Sequence, residues 1–390
     1  MGKFQFCRTP HILFGPGSRG ELGKRAAFFG NRALLVTGAF SLKASGALFK
    51  IESSLREAKM EFMSFAVQGE PSPDLIDEIV KNGRAFNPEC VIAIGGGSVI
   101  DAGKAVSAML PSGKQVKRFL EDVGAEKPSG EKVPLIALPT TSGTGSEATA
   151  NAVLGETGKN GFKKSLRHVN FVPDAAIVDP ELTAGCPPSV TAACGMDAFT
   201  QLLESFVSTK ASPMTDALAQ SGIERVRDSL VPASSGDSKH PEAREGMAYA
   251  ALMSGITLAN AGLGAAHGIA GAIGGRFPVP HGVACGVLIG PVTRASINKL
   301  MSADTRHPML HKYATIGHLL SNSRFDTIGN GCDKLVHCID SWTRKLCPPS
   351  LRDYGINEQD LEDITARSIN RNNPVELDRD EMKAILLEAL

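Results

Sequence analysis

Residues 91–101 read Val-Ile-Ala-Ile-Gly-Gly-Gly-Ser-Val-Ile-Asp, an apolar run of strand character that enters three glycines and then a second apolar stretch. Glycine lets the backbone turn sharply and approach a ligand closely, because it has no Cβ. A helix that begins after such a turn presents unpaired N–H groups and the positive end of its dipole, which suits a phosphate group. The same pattern is also typical of a tight strand–helix turn without a ligand, so the surrounding sequence has to separate the two interpretations.

Short apolar runs alternate with helical patterns through the first half of the chain. They predict strands at residues 33–37, 61–65, 90–94 and 135–139, with helices at about 42–58 and 73–86. This alternation is typical of a parallel sheet covered by helices on both faces, an α/β Rossmann-like fold. Ligands of such sheets bind at the carboxyl ends of the strands, where the glycine-rich turn lies.

The second half of the chain has a different pattern. From about Pro188 onward, apolar residues recur at spacings of three and four with few β-branched runs, which predicts helices. We therefore expect two domains, an α/β domain over residues 1–184 and an all-helical domain over residues 185–390, with a cleft between them.

Composition restricts the classes of partner. The 390 residues carry 41 positive and 41 negative side chains, so no overall charge attracts nucleic acid or an anionic membrane. We find no apolar run of membrane-spanning length and no signal-peptide core, and the eight cysteines form no C-x-x-C pair. These observations predict a cytoplasmic protein with reduced thiols, no nucleic-acid partner and no membrane contact.

A second small-residue turn follows the strand predicted at 135–139. Residues 139–147 read Pro-Thr-Thr-Ser-Gly-Thr-Gly-Ser-Glu and lead toward sequence that we interpret as helical. Its backbone N–H groups and hydroxyls suit a phosphate or a ribose, although an ordinary loop has the same composition. Two such turns on neighbouring strand ends resemble a cradle for a dinucleotide.

The helical half contains candidate metal ligands. Asp197 and Gln201 are four residues apart, so both lie on one face of a helix, and His267 and His281 follow later. One carboxylate and two imidazoles suit a divalent transition metal. Taken singly, Asp197 is equally consistent with a capping or surface residue and His267 with a hydrogen-bonded core histidine.

Six motifs together make the chain similar to a known family. In order along the chain they occupy residues 95–104, 139–147, 179–182, 195–198, 260–267 and 280–284. In this order and spacing they resemble the iron-containing (group III) alcohol dehydrogenases, whose dehydroquinate synthase-like fold also occurs in glycerol dehydrogenase. The resemblance extends over nearly the whole chain and implies a dinucleotide-binding N-terminal domain and a helical C-terminal domain that carries metal and substrate.

The resemblance also implies roles for individual residues. The expected cofactor is NADP or NAD, with the pyrophosphate on the glycine turn and the nicotinamide near Asp101. The residues that the resemblance assigns to this cofactor are Gly96, Gly97, Ser98, Asp101, Thr140, Thr141, Thr144, Ser146 and Lys163. It assigns a divalent metal to Asp197, Gln201, His267 and His281, and chemistry to Asp101, His267 and His281.

Two positions depart from the family pattern. Gln201 stands where the family usually has a metal-binding histidine, and its amide oxygen is a weaker donor than imidazole for Fe(II) or Zn(II). Gly271 stands where the family commonly has a histidine near the substrate, four residues after His267. Fe(II), Zn(II) or no metal therefore all stay open at this point.

A third position bears on the choice of cofactor. The family often has an acidic residue after the first strand, which binds the adenosine ribose and repels a 2′-phosphate. This chain has Gly38 there, followed by Ser41 and Lys43, which favours NADP slightly over NAD. Under the alternative interpretation, Gly38 is only a turn glycine and NAD is preferred.

These observations predict an NAD(P)-dependent oxidoreductase that interconverts a small alcohol and an aldehyde or ketone by hydride transfer, assisted by a metal. One alternative is a metal-independent oxo-acid reductase similar to maleylacetate reductases, with Lys163 or Arg276 binding the carboxylate. A second is a nucleotide-binding protein without turnover. The family resemblance also implies a homodimer or a higher homo-oligomer.

Overall fold

The computed structural model describes residues 3–156, 158, 161–236, 240–346 and 348–390, and it contains strands in the first half of the chain. The strands are β1 His11–Phe14, β2 Arg32–Gly38, β3 Glu61–Val67, β4 Cys90–Gly95, β5 Leu135–Pro139, β6 Asn151–Glu156, β7 Phe162–Arg167 and β8 Ala175–Val178. The helices between them are α1 Leu22–Ala27, α2 Ser41–Ala44, α3 Ala47–Glu57, α4 Pro73–Arg84 and α5 Gly97–Ser112.

Six of these strands form one parallel sheet in the order β1-β8-β5-β4-β2-β3. Every residue of β4 and β5 is buried, because helices and loops cover both faces and the two strands are almost entirely apolar. Separate apolar clusters lie on the two faces, one including Leu34 and Val91 and the other including Leu35 and Ile92. The predicted α/β Rossmann-like fold is confirmed.

The predicted elements agree with the structure in type and differ at particular points. All four predicted strands are present, but the helix predicted over 42–58 is divided into α2 and α3 by Gly46, whose φ of 70° is left-handed. The expectation that residues 139–147 lead into a helix was wrong. Only a short 3-10 helix, Ser146–Ala148, follows the turn, and the chain then enters the antiparallel hairpin of β6 and β7.

The second half of the chain is helical throughout its described elements. Its longer helices are α6 Pro188–Phe206, α7 Pro213–Ala233, α8 Pro241–Ala261, α9 Ala265–Gly274, α10 His281–Ala303, α11 Pro308–Leu320, α12 Ile328–Leu346, α13 Leu361–Arg367 and α14 Arg379–Ala389. One compact unit comprises Cys7–Glu156 with Gly161–Cys186, and the other is built on Pro187–Leu390 with residues 3–6. The domain boundary at residue 184 stays a prediction.

Helices α6 and α10 approach each other through small residues. A Cβ on Gly282 would collide with the carbonyl oxygen of Ala193, and a Cβ on Gly286 would lie 3.1 Å from the Cβ of Met196. The backbones of these two helices therefore come as close as the absence of side chains permits. This contact fixes the spacing of the residues that project from both helices.

In the described part of the chain, no individual helix has the length and hydropathy needed to cross a membrane. Helices α8 and α9 satisfy that test only when taken together, and they are bent by 99° at the break between them.

Candidate functional site

The two glycine-rich turns meet at the carboxyl ends of neighbouring strands. Strand β4 ends at Gly95, α5 begins at Gly97, and the second turn follows the adjacent strand β5. A Cβ on Gly97 would lie only 2.7 Å from the Thr144 side chain, and one on Gly96 would lie 3.4 Å from the Thr141 hydroxyl. Among the described residues, no side chain caps the N-terminus of α5. The start of α5 therefore presents backbone N–H groups and the positive end of the helix dipole beside the second turn, which suits a pyrophosphate.

Asp101 is held by groups from three segments of the α/β unit. Its Oδ1 accepts hydrogen bonds from the Ser146 hydroxyl and lies 3.0 Å from the Lys104 ammonium, while Oδ2 accepts from the Val153 backbone N–H at 2.9 Å. Helix α5, the second turn and strand β6 are thus joined through one carboxylate. This geometry favours a positioning role for Asp101, and its expected place near the nicotinamide stays a prediction.

Lys104 is the cationic partner of Asp101 in this buried network. Its side chain is fully buried, and its Nζ donates to the Thr149 hydroxyl at 2.8 Å and to the Asn151 carbonyl at 2.5 Å. Burial lowers the pKa of Lys104, and the adjacent Asp101 opposes that effect. The network is therefore a buried ion pair whose remaining donors are satisfied by the loop and the hairpin.

Glu147 lies in the same region with only 2% of its surface exposed. Burial raises the pKa of Glu147 to about 7, although a backbone hydrogen bond and Lys104 act in the opposite direction. This carboxyl therefore changes its protonation state close to neutral pH in the folded protein.

Replacing Glu147 with Gln should remove a pH dependence of stability. Between its ordinary pKa of 4.5 and about 7, the folded chain keeps a proton that the unfolded chain has released. We expect this group alone to lower the free energy of unfolding by up to about 3 kcal/mol as the pH rises through that range. Urea unfolding across the range should show the decrease in the wild type and in the exposed control Glu57→Gln, but not in Glu147→Gln. Equal pH slopes for all three proteins would contradict the prediction.

The other residues predicted to bind the cofactor lie on β2, on α2 and in the β6-β7 hairpin. Gly38 is the last residue of β2 and Ser41 the first of α2, and a Cβ on Gly38 would lie 3.9 Å from the Ser41 hydroxyl. Lys163 lies on β7, where its ammonium binds the Glu70 carboxylate at 2.8 Å. The expected contact of Lys163 with a ribose stays a prediction.

Four side chains converge in the helical unit. Asp197 projects from α6, His267 from α9, and His281 and Cys285 from successive turns of α10; their candidate ligand atoms all lie within 4.8 Å of one another. Asp197 Oδ1 is 3.2 Å from His267 Nε2 and 3.8 Å from His281 Nε2. Asp197 and the two histidines were predicted from the sequence, whereas Cys285 was not.

A second carboxylate orients His267. Glu204 Oε2 lies 2.7 Å from His267 Nδ1, and Glu204 Oε1 accepts the Ala266 backbone N–H at 2.7 Å. With its Nδ1 held this way, the imidazole directs Nε2 toward Asp197, as metal-binding histidines with a carboxylate partner do. Glu204 lies seven residues after Asp197 and thus on the same face of α6, a spacing that the sequence already contained.

The charges of these groups depend on one another. Burial opposes ionisation of Asp197, but nearby His281 and the hydrogen bond with His267 outweigh it and lower the pKa of the carboxyl. Burial likewise opposes the charged form of His267, while Cys285, Glu204 and Asp197 raise the pKa of His267 well above its ordinary value. Burial raises the pKa of the Cys285 thiol to about 12. Two carboxylates therefore create a strongly cation-attracting site.

The donor set fits a divalent transition metal. Carboxylate, imidazole and thiol groups are the usual ligands of Zn(II), and imidazole also suits Fe(II). The convergence of these groups on facing helices, with a carboxylate behind one imidazole, is compatible with binding such a cation.

The two departures from the family pattern also have defined surroundings. The Gln201 amide oxygen accepts a hydrogen bond from the Ser254 hydroxyl at 2.9 Å. A Cβ on Gly271 would have nothing within 4 Å, so this position borders open space. A metal bond to Gln201 stays a prediction.

The basic residues suggested for an oxo-acid substrate are engaged elsewhere. Arg276 binds Asp363 at 2.6 Å and Asp360 at 2.9 Å, and Lys163 binds Glu70. These ion pairs neutralise both cations, which weakens the alternative of a carboxylate-binding reductase.

Comparisons with known proteins extend over both units. The chain matches the family models described as "Iron-containing alcohol dehydrogenase" over residues 9–180 and "Fe-containing alcohol dehydrogenase family, C-terminal" over residues 191–390. The NADPH-dependent butanol dehydrogenase of Clostridium saccharobutylicum is 34% identical over 391 residues, covering 98% of this chain and 96% of that protein. The NAD-dependent methanol dehydrogenase of Bacillus methanolicus is 30% identical over 361 residues, covering 92% and 91%. The solved structure of a 1,3-propanediol oxidoreductase has a TM-score of 0.90 and 30% identity, with 100% of both chains covered.

Proposed function

Because the chain belongs to the iron-containing alcohol dehydrogenase family, we propose that it interconverts a small alcohol and its aldehyde or ketone with NADP(H) as the preferred cofactor. Membership makes it an NAD(P)-dependent oxidoreductase of alcohols. The observation that carries the proposal is the convergence of Asp197, His267 and His281, with Glu204 orienting one imidazole.

Asp197, His267 and His281 would hold the divalent cation, Fe(II) or Zn(II). When bound, such a cation supplies a Lewis acid for the substrate oxygen. Glu204 keeps the Nε2 atom of His267 directed at Asp197, with the two candidate ligand atoms 3.2 Å apart. Asp197 and Glu204 are both buried, which limits the contact of these carboxylates with solvent.

The glycine turn would hold the cofactor. Backbone N–H groups at the start of α5 suit the pyrophosphate, and Thr140, Thr141, Thr144 and Ser146 supply hydroxyls beside them. When bound, the nicotinamide of such a cofactor would supply or receive the hydride. Asp101 fixes the second turn against α5 and thereby positions these hydroxyls.

Replacing Gly38 with Asp should reverse the cofactor preference. A carboxylate at the end of β2 would repel a 2′-phosphate and accept a hydrogen bond from a free ribose hydroxyl. We expect the ratio of kcat/KM for NADPH over NADH to fall by about tenfold or more, measured by steady-state aldehyde reduction. Gly38→Ala is the matched control, because its Cβ would make only ordinary contacts at 3.8 Å and beyond. An equal loss with both cofactors would contradict a charge effect.

The decisive experiment combines metal analysis with an assay. Protein purified without oxygen should contain a divalent metal in near-stoichiometric amount and reduce short aldehydes with NADPH. Chelation should abolish that activity, and addition of Fe(II) or Zn(II) should restore it. Full activity in metal-free protein would overturn the metal-assisted mechanism, and stoichiometric NADPH binding without turnover would overturn the enzymatic function.

The assembly and cellular location are further predictions. A homodimer or higher homo-oligomer is expected from the family resemblance, and sedimentation of the purified chain tests it. Location in the cytoplasm likewise stays a prediction from the sequence. The substrate class is a small-molecule alcohol or aldehyde, in keeping with the family.

A further inference from the structure

Cys285 is fully buried on α10 and also belongs to the candidate metal cluster. Its sulfur lies 3.7 Å from His281 Nε2, and it belongs to the same cluster of ligand atoms as Asp197 and His267. His281 and Cys285 are four residues apart on α10, so the helix directs both side chains to one face.

Three of the six separations within the cluster are close to those around a tetrahedral ion. Zinc bonds of about 2.0–2.3 Å separate tetrahedral ligand atoms by about 3.3–3.7 Å. The separations here are 3.2 Å from Asp197 to His267, 3.8 Å from Asp197 to His281, and 3.7 Å from His281 to Cys285. All three lie close to that range.

Gln201 is a weaker candidate for the fourth ligand. Its amide oxygen is neutral and already accepts the Ser254 hydroxyl at 2.9 Å. A thiolate carries a full charge and binds Zn(II) strongly, whereas an amide oxygen suits harder cations. Because position 201 offers no imidazole, three strong donors remain at the site. The Cys285 thiolate on α10 is positioned to act as the fourth.

We propose that Cys285 is the fourth protein ligand of the metal, in place of Gln201, and that this thiolate strengthens the preference of the site for Zn(II) over Fe(II). The inference rests on the proposed metal-assisted function. Zinc or cobalt binding replaces the thiol proton, which leaves as H⁺, and no oxidation or reduction is involved.

Cobalt(II) is the probe that tests the ligand directly. A thiolate ligand produces an intense sulfur-to-cobalt charge-transfer band in the near ultraviolet, which oxygen and nitrogen ligands do not. We expect this band in metal-stripped wild-type protein titrated with cobalt(II), and its loss in Cys285→Ser. Cys332→Ser is the matched control, since Cys332 is also a buried helical thiol in the same unit, and it should keep the band. Gln201→Ala should keep it as well.

Zinc binding provides the second measurement. X-ray absorption of the zinc-loaded wild type should show one sulfur at about 2.3 Å, which Cys285→Ser should lack. The Zn(II) dissociation constant of Cys285→Ser should rise by about tenfold or more, since loss of even an outer hydrogen-bond partner costs that much. In equal competition, both proteins should favour Zn(II) over Fe(II), and the ratio of the two dissociation constants should be smaller in Cys285→Ser than in the wild type. Circular dichroism verifies that the variants are folded.

The outcomes separate this inference from the proposed function. Stoichiometric cobalt or zinc without a sulfur ligand would overturn the role of Cys285 and leave the metal site in place. Failure of the folded wild type to bind any divalent metal would overturn the metal-assisted function itself, and this inference with it.

Discussion

Asp197→Ala should abolish metal binding and lower alcohol-linked turnover by about three orders of magnitude or more, equivalent to about 4 kcal/mol. The substitution removes the buried carboxylate that lies between the two imidazoles. It thereby removes the anionic donor that attracts a divalent cation to them. Metal content after dialysis and kcat/KM for aldehyde reduction measure the two effects.

Two further variants make the Asp197 result specific. Asp197→Asn keeps the volume of the side chain and should lose most of the activity, because the charge is removed while the shape stays. Asp228→Asn, at an exposed position of α7, should retain both metal and activity. Near wild-type metal content and rate in Asp197→Ala would contradict the assignment.

Lys104→Met should destabilise the α/β unit by about 3–5 kcal/mol, because it leaves the Asp101 carboxylate without its buried counter-charge. The same change removes the donor to the Thr149 hydroxyl and the Asn151 carbonyl. Methionine has a similar volume, so a cavity does not account for the loss. Urea unfolding monitored by circular dichroism gives the midpoint and the slope.

A surface lysine and a double variant serve as controls for Lys104. Lys117→Met breaks an exposed ion pair with Glu156 and should cost less than about 1 kcal/mol. Adding Asp101→Asn to Lys104→Met should cost less than the sum of the two single changes, because the unpaired charge is removed. Additive losses, or a Lys104→Met variant as stable as the wild type, would contradict a buried ion pair.

Local sequence patterns predicted the central strands of the sheet. They missed strands that form only through pairing with a distant segment. Strands β4 and β5 were recognisable because continuous apolar runs are typical of a buried parallel strand. Strand β1 has only four residues, none of them buried, and β7 carries two lysines and an arginine. Such segments become strands through pairing with a neighbour rather than through their own composition.

The candidate site was predictable in part for a similar reason. Asp197, His267 and His281 were found because the sequence resembles a family with ligands at these positions. Cys285 and Glu204 carried usable signals, namely a four-residue spacing from His281 and a seven-residue spacing from Asp197. Spacing along one helix cannot show that three helices converge, so neither residue could be placed in the site without the structure.

The close approach of α6 and α10 at Gly282 sets the spacing of these helices independently of the candidate metal ligands. The distance between the helices is set where the Gly282 position meets the Ala193 backbone, and no ligand side chain takes part in that contact. A change of donor at position 201 therefore does not alter the spacing of α6 and α10. Cys285, one turn after His281 on α10, still lies close enough to the other candidate ligands to replace that donor. We therefore expect variants in which a single ligand is exchanged to remain folded.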